Sequence, residues 1–129
     1  MRCGDTVYMH ANGTPCPHLW VLITDPQPQT ALGIIISITT LRNRQDQTVI
    51  VGPSDHPYLQ HPSVVFYGDS RIVDTRAIER AVLEGTVQSQ ERCSPNLLSL
   101  LQGGVLASPH TPKKIIRFYR DAIAEGSGQ

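Results

Sequence analysis

The sequence lacks three features that would assign it to a specialised class of protein. Its charge is balanced, with eleven lysines and arginines against eleven aspartates and glutamates, so only a local patch could bind nucleic acid. It has no apolar run of membrane-spanning length and no signal-peptide pattern, which predicts a cytoplasmic protein without a membrane partner. Its three cysteines are odd in number and widely spaced, so we expect reduced thiols and no disulfide framework.

The chain instead contains short strand-like runs followed by helical segments. Up to about residue 73, β-branched runs alternate with turns rich in proline and glycine, which predicts a small curled sheet or half-open barrel. From Asp74 onward, capping residues and apolar spacing predict three helices near residues 75–84, 95–102 and 112–124. We therefore expect one α+β domain over residues 1–129, with a barrel at ~3–73, Trp20 in its core and a disordered tail at 125–129.

Polar and titratable residues stand where several of these runs begin or end. His18 opens the second run, Thr39 and Thr40 close the third, and Ser70 and Arg71 follow the run that starts near residue 63. Strand ends gathered on one rim would form a site for a phosphate-bearing substrate, because imidazole exchanges protons near neutral pH and guanidinium and hydroxyl groups bind phosphate. The same residue types also occur on solvated loop edges, and Arg71 could simply pair with Asp69 or Asp74.

The order of the elements resembles the MazF/PemK family of toxins over roughly residues 3 to 102. The matching segments are Gly4–Val7, Leu19–Leu22, Ile38–Thr40, Ser63–Val65 and Arg71–Asp74. The resemblance implies an SH3-like barrel, a homodimer and a metal-independent endoribonuclease that cleaves single-stranded RNA and is neutralised by a cognate antitoxin protein. Family members usually carry an arginine just before the second strand, where this chain has His18.

Residue chemistry and the resemblance together predict a site that needs no cofactor and no metal. The predicted catalytic residues are His18, His56 and Arg71. The predicted substrate-binding residues are Thr39, Thr40, Ser70, Lys113 and Arg117. The last two belong to a basic stripe on the final helix, which would contact RNA phosphates or an acidic antitoxin segment if it is not simply a solvated face.

Two other functions remain open at this point. The first is a catalytically inactive barrel that binds a protein or a nucleic acid, which the histidine in place of the family arginine favours. The second is an unrelated small β protein that binds a metal or another ligand. Its candidate metal ligands are Cys3, His10, Cys16 and His18, although the paired spacing of zinc cysteines is absent. Cys93 precedes a helix start without an evident histidine partner, which predicts an inert or partly buried thiol.

Overall fold

The structure is a computed structural model that describes residues 1–10 and 16–127. The strands are β1 (Thr6–Met9), β2 (His18–Leu22), β3 (Leu32–Thr40), β4 (Ile50–Val51), β5 (Ser63–Asp74) and β6 (Gln88–Gln90), and the helices are α1 (Thr75–Glu84), α2 (Pro95–Ala107) and α3 (Lys113–Ser127). The strands form one antiparallel sheet that curls into a half-barrel, in the order β4–β5–β3–β2–β1–β6. The predicted α+β class, with five strands before residue 75 and three helices after them, is confirmed.

The sheet is the middle layer of the molecule, because both of its faces are covered. On one face, Val21 belongs to the same buried cluster as Leu101 of α2 and Ile115 of α3. Trp20 packs with Ile78 of α1 on the other face. Successive strand residues point to opposite faces of a sheet, so neighbouring β2 residues enter two separate clusters. Trp20 is fully buried, as predicted.

A bulge interrupts the long pairing between β3 and β5. Ile35 pairs with Arg71, whereas Ser37 pairs with Phe66, so the β5 residues between Phe66 and Arg71 loop out opposite Ile36. Inside the bulge, the Ser70 hydroxyl donates to the Tyr67 carbonyl oxygen at 2.7 Å. Bulges bend strands and redirect side chains. This bulge lies in the curled part of the sheet. Phe66, at its edge, is half exposed.

The capping residues position α1 and the start of α2 as predicted. Asp74 accepts a hydrogen bond from the Arg76 backbone N–H at the start of α1, and Gly85 ends that helix with a φ of 83°. Ser94 accepts from the Leu97 N–H, with Pro95 as the first helical residue of α2. The two N-caps each satisfy a backbone N–H that a helix start leaves unpaired, and the Gly85 N–H donates to carbonyls at the end of α1.

Helices α2 and α3 are longer than the sequence predicts. The sequence predicts that α2 ends near residue 102, just before Gly103, but the helix continues to Ala107. Gly104 is needed for packing inside the helix, whereas a Cβ on Gly103 would meet open space. A Cβ on Gly104 would lie 2.0 Å from the Tyr67 hydroxyl oxygen, which itself donates to the Leu101 carbonyl at 2.6 Å. Gly104 thus leaves room for the buried Tyr67 side chain to pack directly against the backbone of α2.

Helix α3 runs to Ser127, three residues beyond the end predicted near residue 124. The predicted tail residues 128 and 129 lie outside the described part of the chain. The apolar spacing of the last helix places Ile123 on its buried face, but the side chain is about half exposed. Strand β6 was not predicted, because Gln88–Gln90 has neither apolar alternation nor β-branched residues. Over the described ranges, no helix combines the length and apolar character needed to cross a membrane.

Candidate functional site

An open cleft of about 630 Å³, here called the rim cleft, lies where β2 begins and β3 ends. The segment before β5 and the chain just after β6 complete its walls. Its chemically distinctive lining residues are Tyr8, His18, Thr39, Arg42, Tyr58 and His61. The cleft combines cationic, imidazole, hydroxyl and aromatic groups within the size range of ligand-binding sites.

Four of the residues predicted for the site line this cleft. His18, Thr39, Thr40 and His56 come together there. The antiparallel pairing of Leu19 with Ile38 places the start of β2 beside the end of β3. The His18 imidazole is half-buried and makes no hydrogen bond to any other residue that the structure describes. It is therefore available to a ligand.

His56 is held by backbone groups on both sides of its ring. Its Nδ1 accepts a hydrogen bond from the Tyr58 N–H at 3.0 Å, so its Nε2 carries the proton and donates to the Glu91 carbonyl oxygen at 2.5 Å. The side chain is only 2 % exposed. A neutral tautomer fixed in this way satisfies both ring nitrogens. His56 thus connects the segment before β5 to the chain after β6. The side chain is buried, and it does not lie on a solvated loop edge, the alternative that the sequence left open for these residue types.

Arg71 and Ser70 lie away from the rim cleft. Arg71 pairs with Ile35, four residues along β3 from Thr39, a separation of roughly 13 Å at strand spacing. Its guanidinium lies 5.4 Å from the centre of the Trp20 ring and 3.1 Å from the Asp69 carboxylate. Ser70 is buried within the bulge. The structure therefore does not bring these two predicted residues to the cleft, and it shows the Arg71–Asp69 pair that was the alternative.

The predicted basic stripe is present on α3. Lys113 and Arg117 are both exposed, and neither lines the rim cleft. The electrostatic attraction of exposed cations extends over about one Debye length, ~8–10 Å at physiological salt. Contact between this stripe and RNA stays a prediction.

Several cleft residues were missed by the sequence analysis. Tyr8 and Tyr58 lie with ring centres 5.1 Å apart and planes tilted by 45°, and burial together with the Tyr8 hydroxyl raises the pKa of Tyr58. Arg42 and His61 also line the cleft. Tyr8 and Tyr58 are distant in sequence and meet only through the fold. For His61, the only indication in the sequence was its position in the segment 55–62, which contains two prolines and a second histidine.

The cysteines do not form a metal centre. Among the residues that the structure describes, no group of three or more His, Cys, Asp or Glu side chains is placed to hold a metal ion. Cys16 and His18 line the rim cleft, whereas Cys3 accepts a hydrogen bond from Gln102 in another part of the molecule. The four-ligand zinc site is therefore wrong. Cys93 is buried, as predicted for an inert thiol.

Comparison of the chain with protein-family models and with curated proteins finds no match.

Proposed function

We propose that the rim cleft binds single-stranded RNA and that the protein is a metal-independent endoribonuclease of the MazF/PemK type. The observation that carries the proposal is that His18, whose ring makes no hydrogen bond to the described residues, meets Thr39 and Thr40 in one open cleft. Arg42 adds a cation that suits a phosphate, and the Tyr8–Tyr58 pair adds aromatic surface for a base.

The cleft contains groups for each step of phosphodiester cleavage. A base removes the proton from the ribose 2′-OH, whose oxygen then bonds to phosphorus. The bond from phosphorus to the 5′-oxygen breaks, and an acid protonates that leaving oxygen. His18 and His61 are the imidazoles whose chemistry suits these two roles, since both ring nitrogens of His56 are bound to the backbone. Arg42 and the threonine hydroxyls would stabilise the charge on the phosphate oxygens.

The family resemblance extends the proposal beyond the cleft. We propose that the half-barrel is SH3-like, and that the protein works in the cytoplasm as a homodimer. An antitoxin segment occupying the same cleft would exclude RNA. Acidic side chains on that segment would meet Arg42, whose side chain is exposed.

Cleavage of a labelled single-stranded RNA in the presence of EDTA tests the activity. His18→Ala should lower the rate at least 10²-fold, because general acid–base catalysis contributes about 10²–10⁴-fold. The matched control is His10→Ala, which removes an exposed histidine that lines neither the rim cleft nor any part of the proposed site and should cleave like the wild type. An EDTA-resistant activity that both variants retain would refute the assignment of His18.

A second candidate function is RNA binding in the same cleft without cleavage. It is favoured by the backbone bonds of His56, which remove one predicted proton-transfer group, and by the position of Arg71 over Trp20. Wild-type protein that binds RNA in an anisotropy titration and leaves it intact over hours would establish this alternative. Cleavage that depends on His18 would exclude it.

A further inference from the structure

A second cavity adjoins the rim cleft and has a different composition. This cavity, here called the Phe66 pocket, has a volume of about 360 Å³ and is lined by Thr39, Arg44, Asp46, Phe66, Gly68 and His110. Thr39 lines both cavities. A ligand chain that leaves the rim cleft past this residue would enter the pocket directly.

Hydrogen bonds fix one wall of the pocket. The Asp46 carboxylate accepts from the Thr48 backbone N–H at 3.0 Å and from the hydroxyls of Thr48 and Ser108. The Ser108 hydroxyl oxygen in turn accepts from the His110 N–H at 3.1 Å. Burial alone would raise the pKa of Asp46, but these hydrogen bonds, with a smaller contribution from the nearby His110, lower it overall. The Asp46 carboxylate therefore has a structural role in the pocket wall and is not a ligand-binding group.

The remaining groups of the pocket are open to a ligand. The Phe66 ring is 51 % exposed and lies along the strand over Gly68, where a Cβ would come within 3.1 Å of the ring. Arg44 and His110 are exposed, and neither side chain makes a hydrogen bond or an ion pair with any residue in the described ranges. An exposed aromatic face therefore adjoins a guanidinium and an imidazole.

We propose that the Phe66 pocket binds one nucleotide, with its base against the Phe66 ring and its phosphate at Arg44 and His110. The inference rests on the proposed RNA-binding function and adds a second nucleotide subsite beside the rim cleft. Base stacking on an aromatic ring tolerates any base, because every base has a π-face. A bidentate guanidinium contact holds the phosphate that follows it. An acidic peptide would use the two cations but would leave the ring without a partner.

The first experiment measures the affinity for a 2′-O-methyl RNA twelve-mer, which cannot be cleaved by 2′-OH attack. Phe66→Ala should weaken binding about tenfold, since a stacked base contributes ~1–3 kcal/mol and 1.4 kcal/mol is tenfold. Phe66→Trp should retain the affinity. The matched control is Leu83→Ala, which removes a more exposed apolar side chain from α1 and should bind like the wild type. Equal affinity of wild type and Phe66→Ala would overturn the inference and leave the proposed RNA binding intact.

The second experiment tests the pocket independently of the rim cleft. Adenosine 5′-monophosphate should shift the amide NMR signals of Gly68 and His110 saturably, and Arg44→Ala should weaken this binding more than the binding of adenosine. If the twelve-mer does not bind while the mononucleotide does, the rim-cleft proposal fails and the nucleotide pocket stands. If neither binds, or if only an oligoglutamate peptide shifts these signals, the nucleotide assignment is wrong.

Discussion

A side chain can act on a ligand only if its polar atoms are not already hydrogen-bonded within the protein. His18 and His56 have the same side chain and line the same cleft. The ring of His56 is bound on both nitrogens by Tyr58 and Glu91, whereas His18 is half-buried and open to the cleft. The sequence predicted both as catalytic, because neither the Tyr58 N–H nor the Glu91 carbonyl can be recognised as a partner before the chain is folded.

The three thiols should differ sharply in reactivity. Burial raises the pKa of Cys3 and of Cys93 to about 11, while Cys16 is exposed. At pH 8 a thiol with that pKa is about one-thousandth thiolate, and the thiolate is the nucleophile. Iodoacetamide at pH 8 should therefore alkylate Cys16 in the native protein and all three cysteines in urea, as measured by intact-protein mass spectrometry. Native alkylation of Cys93 at the rate of Cys16 would contradict this assignment.

The thiols of Cys3 and Cys93 should make the free energy of unfolding decrease at alkaline pH. Their pKa values are higher in the folded protein than in the unfolded chain, so the folded state retains protons that the unfolded state has lost. The slope of unfolding free energy with pH is negative wherever the folded state binds more protons. The contribution of the thiols is complete below about pH 8.5 and is lost as the pH rises towards 11.

At the scale of elements, the sequence predicted those helix ends that depend on neighbouring residues. The caps Asp74, Gly85 and Ser94 satisfy backbone groups of their own helices and were recognisable from neighbouring residues. Strand β6 is held by pairing with β1, and Gly104 is required by Tyr67 on β5. Both depend on residues distant in sequence, so the sequence alone predicted neither the extra strand nor the true end of α2.

The two adjacent glycines of α2 should respond oppositely to the same substitution. Gly104→Ala places a Cβ against the buried Tyr67 hydroxyl and should destabilise the protein by about 1–3 kcal/mol, the usual effect of overpacking. The Cβ of Gly103→Ala would meet open space and should stabilise the helix by roughly 0.5–1 kcal/mol. Urea unfolding of the two variants measures both effects. Equal effects of the same sign would contradict the packing role of Gly104.

At the scale of the whole molecule, the net charge is zero, so the proposed RNA binding would depend on local cations. Each phosphate contact to a single strand contributes about −0.7 to the slope of log affinity against log salt. We expect Arg42→Ala, which alters the rim cleft, to reduce that slope by about this amount. Arg117→Ala on α3 tests the predicted basic stripe in the same titration. An unchanged slope for Arg42→Ala would place the phosphate elsewhere.

Strand β6 completes the sheet beside β1, although the chain reaches it only after β5 and α1. Pairings between such distant segments close long loops and form slowly, whereas β1, β2 and β3 are neighbours in sequence and pair directly. Glu91, just after β6, accepts hydrogen bonds from His56 and from the Thr6 hydroxyl. One wall of the rim cleft therefore depends on a contact between distant parts of the chain, and we expect it to form after the pairing of β1, β2 and β3.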